Sequence, residues 1–278
     1  MAISVPDLLV ILRLRKTGIL DERFAVADVG AQQLGNDVLR NRRILPVVAR
    51  LFAVPLQGFG STDRTDKTLP VDAPSARRFW EWLGCSYTAI DIDGSPGSLP
   101  LDLNVDEVPA EHKGRYQLVM NLGTTEHVAD QNQAMKVVHD LTAVGGVMIH
   151  TVPMQGYSNH GLLNYNPKFF WMLAKSCRYH WLDMRISYDT PMPLSADIIG
   201  EVTRFSSAAA KRLEKLFVTD VGFMAVMQKR EDIPFVPPID AGDAVAEQRL
   251  RERYWADAVR QMAVKRPAKG WLRRRSNA

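Results

Sequence analysis

The stretch Phe24-Ala-Val-Ala-Asp28-Val-Gly30-Ala-Gln-Gln-Leu-Gly35 decides how the rest of the chain is read. A short apolar run ends in an acid and a glycine, and a second glycine follows five residues later. A run of this length, bounded by turn residues, reads as a strand buried on both faces. Three similar runs follow it: Tyr87–Ile92, Tyr116–Asn121 and Gly146–Thr151. Between the last two, Glu126–Val144 carries Val128, Met135, Val138 and Leu141 at helical spacing. Parallel strands joined by crossover helices give an α/β fold, a Rossmann-like doubly wound sheet. Trp181–Tyr188 and Phe223–Lys229 add two later strands around a helical stretch at Ser207–Leu216. The sheet is therefore expected to be mostly parallel with an antiparallel terminal strand.

In such a sheet the carboxyl end of the first strand is where a ligand meets the backbone. Gly30 lacks a Cβ and permits close approach there. A dinucleotide site needs a small residue two positions further on, so that a pyrophosphate can reach the helix N-terminus. Gln32 stands at that position and would obstruct it. Asp28 and Gly30 suit instead a phosphate-free ligand with a cationic group, as S-adenosylmethionine has. The alternative is that both glycines only shape a tight strand-to-helix turn.

Later segments extend the pattern. Cys85-Ser-Tyr-Thr-Ala-Ile-Asp91-Ile-Asp93 is a strand ending in acids, and a carboxylate there can accept both ribose hydroxyls. Leu99-Pro-Leu-Asp102-Leu103-Asn104 sets an acid beside an apolar residue, suited to an adenine amino group and ring face. Asn121-Leu-Gly-Thr-Thr-Glu126-His127 is a polar turn after a strand, and Gly145-Gly146 precedes the next one. This ordered set, over residues 24–229, resembles the class I S-adenosylmethionine-dependent methyltransferases, in particular the small-molecule group of the type 11/12 kind. The resemblance implies cofactor contacts for Asp28, Gly30, Gly35, Asp91, Asp102 and Leu103, with Asn121 lining the site. The 61 residues from Gly30 to Asp91 depart from the usual interval of about 20. Residues 36–84 therefore read as an insertion, a lid or a surface excursion, which leaves Asp93 as a rival to Asp91.

Methyl transfer to a hydroxyl profits from a base that titrates near neutrality, and histidine is the natural one. Of the six histidines, His112 and His180 read as surface residues and His139 as structural. His127, His150 and His160 fall at or beyond strand ends on the ligand side. His160 is the first candidate base and His127 the second. The segment from Pro153 to Pro167 is dense in amides, glycine and aromatics. Tyr157, Asn159, Asn164 and Tyr165 are the substrate-binding candidates in it, for a small-molecule or glycan-like acceptor. Turn formation is the competing explanation for the asparagines. No spacing suggests a metal site, a P-loop or a nucleophilic serine.

The chain of 278 residues is 46% hydrophobic and 24% charged, which suits a globular body with a sizeable core. Its net charge of +4 hides an asymmetry: nine Lys/Arg face two acids beyond residue 250, whereas 26 face 29 before it. The body thus offers no argument for nucleic-acid binding. Trp271 beside Arg273, Arg274 and Arg275 suggests either a solvated tail or a peripheral membrane contact. Two widely spaced cysteines, Cys85 and Cys177, fit a reducing cytoplasm better than a disulfide framework. Residues 1–20 read as an N-terminal amphipathic helix, 21–230 as the cofactor-binding domain, and 231–278 as a proline-rich break, a helix and the basic tail. The leading expectation is O-methylation with S-adenosylmethionine. The rivals are a nicotinamide-dependent oxidoreductase or epimerase, and a non-catalytic nucleoside-binding protein.

Overall fold

The computed structural model describes residues 2–56, 75–94, 97–157, 160–188, 203–204 and 220–265. The strands are β1 (Ala2–Ile3), β2 (Ala25–Val29), β3 (Gln33–Leu34), β4 (Ser86–Ile90), β5 (Tyr116–Leu122), β6 (Thr142–Gln155), β7 (His180–Tyr188), β8 (Thr203–Arg204) and β9 (Val221–Gln228). The helices are α1 (Val5–Lys16), α2 (Asn36–Arg40), α3 (Ile44–Leu51), α4 (Ala76–Trp82), α5 (Gln131–Leu141), α6 (Pro167–Ser176) and α7 (Ala244–Lys265).

Seven strands form the main sheet in the order β4-β2-β5-β6-β9-β7-β8. β4, β2, β5 and β6 are mutually parallel, with Val29 level with Ile90 and Asn121, and Asn121 level with His150. β9 returns antiparallel between β6 and β7, and β8 is antiparallel to β7. The sheet is thus doubly wound, mostly parallel and closed by an antiparallel last strand, as expected, with β9 lying between β6 and β7. All four expected parallel runs are present as strands, and Leu99 adds an isolated parallel bridge beside Ile90.

Handedness puts helices on both faces. From β2 the chain crosses to β4 on one side, and from β5 it crosses to β6 on the other. Two right-handed crossovers in opposite directions must cover opposite faces. The first layer holds α1 to α4, with Leu8, Ile11, Val38, Val48, Phe79 and Trp80 packed on Val26, Leu118 and Ile149. The second layer holds α5 and α6, with Met135, Val138, Phe170 and Leu173 on Ala27, Val119 and Met148. The switch in direction falls between β2 and β5, whose carboxyl ends are where doubly wound sheets receive ligands.

Three details differ from the sequence reading. Residues 36–84 are an enlarged crossover: their described helices bury Val38, Ile44, Phe79 and Trp80 and form part of the core rather than a surface excursion. Gly58-Phe59-Gly60-Ser61 lie outside the described residues, as do Ser207–Leu216 and the basic run 266–278. The helix expected from Glu126 starts only at Gln131, because Asp130 caps it by accepting from the Gln133 amide, and Thr125–His127 instead forms one tight turn. Lastly, α1 is buried over most of its circumference, Asp7 included, so it is a core helix more than an amphipathic surface one. Among the described residues no helix is long and apolar enough to cross a membrane.

Candidate functional site

Side chains alternate along a strand, so residues two apart share a face. Asp28 shares the α1 face with Val26, and Thr151 shares it with Ile149. Asn121 and His150 point into the α5–α6 layer with Val119 and Met148. This parity separates the polar residues of the carboxyl edge into two groups.

On the α1 side, Asp28 is wholly buried. Its Oδ2 accepts the Tyr87 hydroxyl at 2.9 Å, while Oδ1 has no partner among the described residues. Burial pushes its carboxyl well above the usual range, and the nearby Asp7 charge adds to that. Asp7 is also raised by burial, although it accepts hydrogen bonds from Ser4 and, at 2.9 Å, from Thr151. Neither acid has a cationic side chain paired with it among the described residues. Two buried acids without a counter-cation make this corner favourable for a positive group.

The turn after β2 runs through Gly30 at φ +85°, a conformation that costs glycine little. The Gly30 amide donates to the Ile90 carbonyl at 2.7 Å, and the Ala31 amide donates to Asp91 Oδ2 at 2.8 Å. The glycine turn is thereby tied to the end of β4. Asp91 is the acid tied to this turn, whereas Asp93 is exposed and donates its own amide to Asp91 Oδ1. A carboxylate offers about four acceptor positions, and these two bonds leave about two for a ribose diol. Ile92, 63% exposed, offers an apolar surface next to it. Gln32 turns inward, and both of its amide atoms lack partners among the described residues.

Asp102 folds back on its own loop, its Oδ1 accepting from the Asn104 amide and side chain, and those bonds hold its carboxyl below the usual range. Asn104, not anticipated from sequence, accepts from the Ala129 and Asp130 amides and joins this loop to the one after β5. Leu103 is buried beside it.

Other expected contacts move elsewhere. Gly35 donates to the Ile3 carbonyl at 2.8 Å, and a Cβ there would meet that oxygen at 2.9 Å. Its lack of a side chain serves the packing of β1, not a ligand. Asn121 is fully buried and holds the turn: it donates to Thr125 Oγ1 at 2.7 Å, approaches His150 Nδ1 at 3.1 Å, and accepts from the Thr125 amide. Tyr165 is likewise a core residue whose hydroxyl engages Thr125 and Gln131. Both were expected at the site and are instead supports beneath it. His150 lies buried against Phe170, its pKa lowered to about 3 by desolvation. Asn164 is exposed and braces the loop by donating to the Gly156 carbonyl. Asn159 lies outside the described residues.

The two candidate bases do come together, and Glu126 joins them. His127 and His160 stack edge to face with centroids 5.2 Å apart, and His160 Nε2 lies 3.8 Å from Glu126 Oε1. His160 is half exposed, whereas Glu126 is buried and its Oε2 has no partner among the described residues. Burial raises the Glu126 carboxyl to about 7, and burial together with His160 lowers the His127 imidazole. Tyr157, at φ +48°, sets its ring 5.6 Å from that of His160. The contact depends on Gly161, where a Cβ would meet Glu126 Cγ at 3.0 Å and its carbonyl at 3.1 Å. The Leu162 and Leu163 amides then donate to that carbonyl. Glu126 was legible only as a helix-starting acid, because its partner lies 34 residues away in another loop.

A cavity of about 870 Å3 opens elsewhere among the described residues. Lined by Lys113, Lys136, His139, Lys229, Phe235 and Tyr254, it faces the amino ends of β5 and β6, the edge opposite Gly30.

No known family profile matches the chain, and no curated protein matches it either. Among solved structures it is similar to an S-adenosylmethionine-dependent methyltransferase from Archaeoglobus fulgidus, at 11% identity over 80% of this chain and 93% of that one, with a TM-score of 0.39. The 1,6-didemethyltoxoflavin-N1-methyltransferase of Burkholderia thailandensis shares 10% identity over 81% and 77%, with a TM-score of 0.38. A loganic acid methyltransferase shares 11% over 82% and 93%, with a TM-score of 0.44. Likenesses this distant carry no argument about activity, which rests here on the chain's own geometry.

Proposed function

We propose that the chain is an S-adenosylmethionine-dependent methyltransferase that acts on a hydroxyl of a small-molecule or glycan-like acceptor. The observation that carries the reading is the set of groups gathered at the switch point of the sheet. There a glycine turn is tied by the Ala31 amide to Asp91, and a buried Asp28 with an orphan oxygen lies just inside the strand end. A nucleoside with a cationic amino-acid end and no phosphate fits these groups. Asp91 would hold the ribose hydroxyls, Ile92 and Leu103 the purine face, and Asp102 the purine amino group. Gly30 gives the backbone room, and Asp28 supplies negative potential towards the cationic end. When bound, the cofactor supplies an electrophilic methyl group.

The chain must then bring an acceptor into line and prepare its oxygen. The groups suited to that are His160, His127 and Glu126, on the same carboxyl edge one strand further along. Tyr157 supplies a ring beside them, and the exposed Leu162 and Leu163 flank the Glu126 carbonyl. The buried pair Asn121 and Tyr165 keeps the Thr125–His127 turn in place.

Calorimetric titration with S-adenosylhomocysteine and with NAD tests this reading. Saturable binding of the first only is expected, with Asp91→Ala weakening it at least about 10-fold, the loss of one charge-assisted contact. NAD binding in preference to the thioether nucleoside would overturn it in favour of an oxidoreductase. If His160→Ala bound the nucleoside normally and left every transfer assay unchanged, the chain would be a nucleoside-binding protein.

A further inference from the structure

We propose that Glu126, His127 and His160 form a divalent transition-metal site that binds the acceptor's oxygen. The inference rests on the methyltransferase reading only for what the ion does, not for where it sits. One carboxylate oxygen and one nitrogen from each imidazole all lie within 4.8 Å of one another. Ligands of a single ion at about 2.0–2.2 Å stand about 3–3.5 Å apart, so the three side chains would have to draw together by about an ångström. The Glu126–His160 separation of 3.8 Å is almost there already.

An orphaned, buried carboxylate oxygen points to a ligand. Glu126 is 1% exposed, and its Oε2 has no partner among the described residues, an arrangement that is costly without a cation to meet it. Gly161 is also the residue whose missing Cβ lets the His160 loop seat against Glu126. The set of two imidazoles and one carboxylate suits Zn2+, Mn2+, Fe2+ or Co2+ and is too nitrogen-rich for Ca2+ or Mg2+. Three protein ligands leave open positions, as catalytic sites do, and both histidines face solvent on the side where an acceptor would enter.

The ion would polarise the acceptor's O–H bond and make the hydroxyl more acidic at neutral pH. The proton leaves to water, the oxygen's electron pair forms the bond to the methyl carbon, and the carbon–sulfur pair stays on sulfur. The histidines then act as ligands in place of a proton acceptor. Acceptors with a second oxygen next to the reacting one, such as vicinal diols, would bind best.

The test uses untagged full-length protein stripped with a chelator and titrated with Co2+, read by visible absorption. One ion per chain is expected, displaced by Zn2+. Its affinity should fall at least about 10-fold in His127→Ala, in His160→Ala and in Glu126→Gln, and stay unchanged in His180→Ala. Both histidines are exposed, so their variants should retain the parent's melting temperature and S-adenosylhomocysteine affinity. Absence of a Co2+ spectrum, or a spectrum that survives in the His127→Ala/His160→Ala double variant, overturns the metal site. If nucleoside binding and His160-dependent turnover persist without metal, the proposed function stands and the histidines act as bases. Cobalt binding without nucleoside binding would instead support the site and sink the cofactor reading.

Discussion

Asp28 illustrates what a single residue can and cannot disclose. An acid at the end of an apolar run marks a strand end beside a ligand edge, and that much is legible in Asp28 and Asp91. Which face an acid takes depends on register and on the layer that covers it, which a lone strand does not reveal. Asn121 and Tyr165 have the polarity of site residues, yet parity and burial turn them into supports for the Thr125–His127 turn. Asp28 stays an acid at a cost in stability, since burial disfavours its ionised form. Asp28→Asn keeps an acceptor for the Tyr87 hydroxyl and removes the ionisable group. Thermal melting at pH 8 is expected to show a gain of about 2–4 °C, with nucleoside affinity lowered about 10-fold. A lower melting temperature with full affinity would remove Asp28 from the cofactor's surroundings.

At the scale of elements, β2, β5 and β9 were readable because each is a short, largely apolar run buried on both faces. Given the order of β4, β2, β5 and β6, crossover handedness then fixes which face each helix covers. Helix starts were less legible: Asp130, not Glu126, caps α5, and only the cap geometry distinguishes them. Least legible was the docking of the loop after β6 onto the turn after β5. Its sole local signal is Gly161, which looks like an ordinary turn glycine in a segment already rich in glycine and asparagine. Gly161→Ala should push the His160 loop off Glu126 and cost about 1–3 kcal/mol through overpacking. Denaturant unfolding measures that cost, while nucleoside affinity is expected to hold and acceptor turnover to fall. Loss of nucleoside affinity together with turnover would mean that loop and nucleoside site are not separate parts.

For the whole molecule, the two layers on opposite faces bury different ionisable groups, and pH acts on them in opposite senses. His139 and His150 are each lowered to about 3, mainly by burial, and for His139 also by the Lys229 cation. Unfolded, each would bind a proton near pH 6.5; folded, each stays neutral until about 3. Their contribution is therefore complete above pH 6.5 and is lost as pH falls towards 3. Asp7 and Asp28, raised in the fold, oppose this, because their unfavourable contribution shrinks as pH falls. The comparison must be made between variants. His139→Gln should lose less stability than the parent between pH 7 and pH 4, by on the order of 2–3 kcal/mol in urea unfolding. Equal losses would show that His139 titrates normally. The same residue lines the large cavity at the amino edge, so an effect of this variant on nucleoside binding would place the ligand there.

A crystal structure with S-adenosylhomocysteine bears most directly on the central claim. The account predicts the ribose hydroxyls on Asp91, the purine between Ile92 and Leu103, and the thioether sulfur turned towards the edge that carries His127 and His160. A nucleoside lodged between α5 and α7, or a Gly30 turn blocked by the inward Gln32 side chain, would contradict it.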